Sequence, residues 1–137
     1  MLVKKAALAV AVLALAGCGS MGGKSTQVSL SGAQEVPAVS TGASGNGSIT
    51  VGDDGSVRGS INVSGMNAVA AHIHQGAAGA NGPVIVPFSK NPDGSWSPAP
   101  GAKLSDAQLA AYKAGNTYVN VHSPQHKGGE IRGQLTP

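Results

Sequence analysis

The sequence predicts an all-β fold, an antiparallel Greek-key-like β-sandwich or barrel with one short helix at about residues 105–114. Seven short segments alternate apolar and polar residues with a period of two, and turn-forming residues separate them. Composition agrees: 21 glycines favour tight turns, and only four aromatics (Phe88, Trp96, Tyr112, Tyr118) leave a core of Val, Ile, Leu and Ala. In chain order the strands are Val28–Leu30, Ser48–Val51, Val57–Val63, Val69–His74, Val84–Val86, Thr117–His122 and Ile131–Leu135. Turns fall at Asp53-Asp54-Gly55, Gly65-Met66-Asn67, Gly79–Pro83, Asn91-Pro92-Asp93-Gly94 and Lys127-Gly128-Gly129. For the helix, Ser105 is an N-cap with Gln108 three residues on, as in a capping box. Leu104 and Leu109 have the spacing of a hydrophobic staple, and Gly115 supplies the stop. This helix is expected to cap an open end of the sheets.

Residues 1–17 read as a targeting segment. Lys4 and Lys5 precede an apolar run, Ala6 to Ala16, about half the length a membrane-spanning helix needs. Leu15-Ala16-Gly17-Cys18 follows at once and resembles a bacterial lipobox. That resemblance implies cleavage before Cys18 and acylation of its amine and sulfur with palmitate-type chains, anchoring the protein to a membrane of the cell envelope. Gly19 and Ser20 carry no Asp of the inner-membrane retention kind, which favours the outer membrane, facing the periplasm or the cell surface. Residues 18–26 then form a lipidated, Gly- and Ser-rich tether, and 27–137 a single domain. With Cys18 acylated, the domain has no thiol, disulfide or cysteine ligand. Removing Lys4 and Lys5 leaves seven basic against six acidic residues, a net charge of +1, which argues for no nucleic-acid partner.

All four histidines lie in two short segments, Ala71–Gly76 and Val119–His126. Parity puts Val69, Ala71 and Ile73 on a buried face and Ala70, His72 and His74 on the opposite one. In the next His-bearing strand Val119 and Val121 go inward, turning Tyr118, Asn120 and His122 outward. Ile131 and Leu135 are core, with Glu130, Arg132 and Gln134 outward. An H-x-H pair holds two imidazoles on one side of a strand, roughly 6 to 7 Å apart at the backbone. His122 from a neighbouring strand can complete a three-nitrogen set with an open position. His126, in a loop after Pro124, is either a fourth ligand or a solvated residue. Glu130 and Arg132 are either a surface ion pair or a support for the site, Arg132 beside a metal-borne anion and Glu130 orienting it or a ligand. Imidazole-rich sites without thiolate suit copper or zinc, and copper is favoured here.

Leu30–Pro37, then Ala71–His74 with Gly76, Gly79 and Asn81–Val84, then Ala114-Gly115, Tyr118–His122 and Gly129–Gln134 resemble the chordin-type CHRD domain. The resemblance runs from about Val28 to Leu135. Lys127 departs from it, standing where the family often carries Pro, which leaves the His126 loop freer. The resemblance implies a β-rich module of secreted proteins and lipoproteins and fixes no biochemical activity. A second, weaker similarity, in the order of His72-Ile73-His74, His122 and Arg132, is to the copper half of copper-zinc superoxide dismutases. It implies His72, His74 and His122 as copper ligands and Arg132 as an anion guide; the disulfide cysteines and zinc loop of those enzymes are missing.

Two functions follow as expectations. One is a membrane-anchored, extracytoplasmic lipoprotein that binds metal for buffering or delivery, and less readily for superoxide chemistry. The other is a non-enzymatic module whose polar face or Gln34–Pro37 segment contacts a protein or envelope polymer. A hydrolase has little support: Ser123 and His122 are adjacent on a strand and so point apart, and no acid completes a triad.

Overall fold

The computed structural model describes residues 23–137; the basic start, the apolar run and Cys18 lie outside the described residues. The described chain forms eight antiparallel strands, β1 (Gly23–Ser31), β2 (Ser44–Gly52), β3 (Val57–Ser64), β4 (Ala70–Gln75), β5 (Val84–Lys90), β6 (Trp96–Pro98), β7 (Thr117–His122) and β8 (Ile131–Leu135). They close into a barrel in the order β1-β2-β3-β6-β5-β4-β7-β8, with Ser31 of β1 paired to Arg132 of β8. Two connections, β3 to β4 and β6 to β7, skip across strands to give the Greek-key character. Among the described residues no helix is long and apolar enough to cross a membrane.

The interior carries the alternation predicted. Ile49, Ile61, Val119, Val121, Ile131 and Leu135 have no solvent exposure and join Val28, Leu30, Ile73 and Val86 in one core. Burying each such side chain contributes roughly 1.5–3 kcal/mol. The helix α1 (Asp106–Lys113) has the predicted capping box, with Ser105 Oγ accepting from the Gln108 amide and Gln108 Oε1 from the Ser105 amide. Its Tyr112 is buried and its hydroxyl lies 2.6 Å from Thr26 Oγ1, which ties the helix to β1.

Three expectations are corrected. Residues 23–26 belong to β1 rather than to a tether, because each pairs with β2, from Gly23 opposite Gly52 to Thr26 opposite Ile49. Val69 lies just before β4 and is 53% exposed, so it is not core. Strand β6 is an addition; its three residues, ending in Pro98, are too few to show an alternation.

Candidate metal centre

Strands β4, β7 and β8 lie side by side. His72 pairs with Asn120 and Asn120 with Arg132; His74 pairs with Tyr118 and Tyr118 with Gln134; His122 pairs with Ala70. Parity therefore puts all these polar side chains on the face away from the core. That face is not open. A 3-10 turn at Gly32–Gln34 with the following Glu35–Pro37, and the loop Gly76–Pro83 between β4 and β5, lie over it as a second layer. Tyr118, Asn120 and Arg132 are 3%, 3% and 1% exposed, and His74 is 9% exposed.

The histidines His72, His74 and His122 converge. Each offers a ring nitrogen within 4.8 Å of the other two, and His72 Nδ1 lies 3.1 Å from His122 Nε2. Two nitrogens bound at about 2.0–2.1 Å to one ion stand roughly 3–4 Å apart, so the spacing is close to that of a ligand set. The tautomers also fit. His74 Nδ1 is 2.9 Å from the Gly82 carbonyl, and His122 Nδ1 is 2.9 Å from the Lys127 carbonyl. A carbonyl can only accept, so both Nδ1 atoms carry the proton and both Nε2 atoms present a lone pair. The Nε2 of His74 is buried with no hydrogen-bond partner, the orphan that a metal would satisfy. His72 then donates its Nδ1 proton to His122 Nε2, and that shared proton sits where a cation would. Burial, followed by the charges of the neighbouring imidazoles, pushes His72 below its ordinary pKa. Burial also lowers His74, against the raising effect of the Gly82 carbonyl. Both imidazoles are thereby kept neutral, the form that binds metal.

The covering loop positions His74. Gly82 accepts from His74 through its carbonyl and donates through its amide to Tyr118 Oη, 3.1 Å away. A Cβ on Gly82 would meet the Gln75 carbonyl oxygen at 1.6 Å, so only glycine fits there. The Tyr118 ring stacks on His74 with centroids 4.9 Å apart and planes at 6°. The Arg132 guanidinium lies over Tyr118, with Cζ 3.4 Å from the ring centroid. Its nitrogens donate to the Ala77 carbonyl, Asn81 Oδ1 and Gln134 Oε1.

The other candidate residues take different places. His126 is not part of the converging set; its backbone closes the turn after β7, and its charge helps lower the pKa of Glu130. Glu130 and Arg132 are not a surface ion pair. Both are buried, and Glu130 accepts from Ser123 Oγ at 2.7 Å and Thr41 Oγ1 at 2.8 Å. Arg132 is buried and holds the covering loop, stacked over Tyr118 with its charge acting on His74. Three supports escaped the sequence reading: Tyr118, Gly82, and the buried Glu35, which accepts from Asn120 Nδ2. A cavity of about 270 Å³ lies between the covering segments, lined by Ala33–Val36, Ala78, Gly79, Arg132 and Gln134; it includes none of the histidines.

A family model described as the CHRD domain matches residues 26–135 of the chain, which takes in β1 from Thr26 onward, β2 to β8 and both covering segments. The chain belongs to the CHRD domain family. No curated protein and no solved structure matches it. The CHRD match spans Gln34–Pro37, the Gly76–Pro83 loop and Gly129–Gln134, the segments that surround the three histidines.

Proposed function

We propose that this CHRD-domain chain is an extracytoplasmic, membrane-anchored lipoprotein that binds a metal ion, copper in preference to zinc, through His72, His74 and His122. The observation that carries the reading is the buried, partnerless Nε2 of His74 beside two further ring nitrogens within 4.8 Å. A set of three imidazoles with no thiolate and no carboxylate suits copper(II), which stands at the top of the affinity order for such donors. Buffering or delivery is favoured over superoxide turnover, because the guanidinium that would draw in an anion is 1% exposed and held by the covering loop. The lipid anchor rests on Leu15-Ala16-Gly17-Cys18.

The alternative of a metal-free interaction module keeps only part of the Gln34–Pro37 surface it would use. Gln34 donates to the Ser29 carbonyl and accepts from the Gln134 amide, and Glu35 is buried against Asn120. Within this segment Glu35 is committed to the interior, while Gln34 and Pro37 remain exposed.

Copper and zinc titration of the purified chain, with metal analysis of the product, tests the reading. Wild type binds one equivalent, and His74→Ala and His122→Ala lose at least about 100-fold in affinity. Binding that is weak and unchanged in the variants would leave the interaction module as the better reading. For the anchor, Cys18→Ala moves the protein from the membrane to the soluble fraction; a variant that stays with the membrane removes the lipid assignment.

A further inference from the structure

The three imidazoles are held unequally. His74 and His122 are each fixed by an Nδ1–H bond to a backbone carbonyl, and both already present Nε2 as a lone pair. Among the described residues His72 has no hydrogen bond to backbone, and its one hydrogen-bond partner is His122 Nε2. Its ring makes only edge contacts with its neighbours, at 83° to His74 and 66° to His122. His72 and His122 are both partly exposed, whereas His74 is buried, so it is the missing backbone anchor that sets His72 apart. To coordinate through Nδ1, which faces the cluster, His72 must move its proton to Nε2. His74 changes nothing, and His122 keeps its tautomer and gives up only the proton it accepts from His72. A ligand that is already oriented costs little to engage, whereas one that must exchange tautomer and give up a hydrogen bond engages last.

We infer that His72 is the exchangeable ligand: metal docks on the preset His74–His122 pair as the His72–His122 hydrogen bond opens, and is closed in, and released, through His72. This rests on the metal-binding reading and deepens it, since a site with one ligand not anchored to backbone is suited to handing its ion to an acceptor with ligands of its own. The acceptor's donor atom takes the place of His72 while His74 and His122 still hold the metal, so the ion is never left bare. Gly82 and Lys127, which fix the other two imidazoles, mark the retained half of the site.

Zinc(II) is the probe, being diamagnetic. Long-range proton–nitrogen spectra of the uniformly labelled wild-type chain give the tautomer of each ring. In the metal-free protein all three carry the proton on Nδ1. In the zinc form His72 alone has moved it to Nε2, and with zinc below one equivalent in the presence of a soluble chelator, exchange broadening is confined to the His72 ring. His72→Ala retains zinc with about a tenfold loss, against 100-fold or more for His74→Ala and His122→Ala. A loaded protein in which His72 keeps its Nδ1 proton, or in which all three rings broaden together, overturns the inference while leaving metal binding intact. A wild-type chain whose rings do not respond to zinc or copper overturns the metal-binding reading itself. The tautomer measurement uses wild type, so a variant that fails to fold does not decide the matter.

Discussion

Glu35 and Glu130 are both buried near the imidazoles, yet folding moves their proton affinities in opposite directions. Burial pushes Glu35 up, against the lowering effects of its Asn120 hydrogen bond and the Arg132 charge. A raised carboxylate contributes stability below its ordinary pKa, and this is lost as pH rises through the raised value. Glu35→Gln keeps an acceptor for Asn120 without the charge. Its melting temperature should match wild type in acid and exceed it by roughly 2–5 °C at pH 7. Glu130 is held below its ordinary value by hydrogen bonds from Ser123 and Thr41 and by the charge of His126. Its contribution is present above the ordinary carboxylate pKa and is lost as pH falls through the lowered value. Glu130→Gln should therefore be less stable at neutral pH by about 1–2 kcal/mol, with the gap closing in acid. Melting curves from pH 3 to 8 check both, and parallel profiles for the two variants would sink these roles.

At the scale of elements, the β4–β5 loop is what separates an ordinary His-bearing strand from a preset site. Gly82→Ala forces the loop away from Gln75 and releases both His74 Nδ1 and Tyr118 Oη. Such outer-shell losses cost about 10–100-fold in metal affinity, so titration should show that drop while the far-ultraviolet spectrum keeps its β signature. Unchanged affinity would mean that the carbonyl of residue 82 does not set the tautomer. The strands themselves were legible, because alternation in β4, β7 and β8 assigns each side chain to a face, and it brought His72, His74 and His122 together. What parity cannot read is whether an outward face meets water. Tyr118, Asn120 and Arg132 were assigned to the correct side but are buried, since the cover comes from Gly32–Pro37 and Gly76–Pro83, segments remote in sequence from β7 and β8. Residues 23–26 read as tether from their Gly and Ser content, and only pairing with β2 makes them strand.

For the whole molecule, a site assembled from β4 and β7 exists only in the folded barrel, so metal binding and folding are linked. An ion that binds only the native state adds about 2.7 kcal/mol of stability at a free concentration 100 times its Kd. The melting temperature of wild type should rise progressively with added copper. That of the His74→Ala/His122→Ala double variant should stay where it is, and equal shifts in the two proteins would assign the effect to adventitious sites.

The barrel is not stitched evenly around its circumference. Strand β1 meets β8 through a single register pair, Ser31 with Arg132, and β3 meets β6 through one, Ile61 with Trp96, whereas β4 and β7 are paired along six consecutive residues. In backbone pairing the wall thus falls into two staves, β1, β2 and β3 in one and β6, β5, β4, β7 and β8 in the other. Side chains tie them on the β1–β8 side, where Glu35 accepts from Asn120, Glu130 from Thr41 and Gln34 from the Gln134 amide. All three histidines and both carbonyls that orient them, Gly82 and Lys127, belong to the second stave and its loops. The three ligands and the carbonyls that orient them are therefore placed relative to one another within a single run of paired strands and do not rely on either single-pair junction.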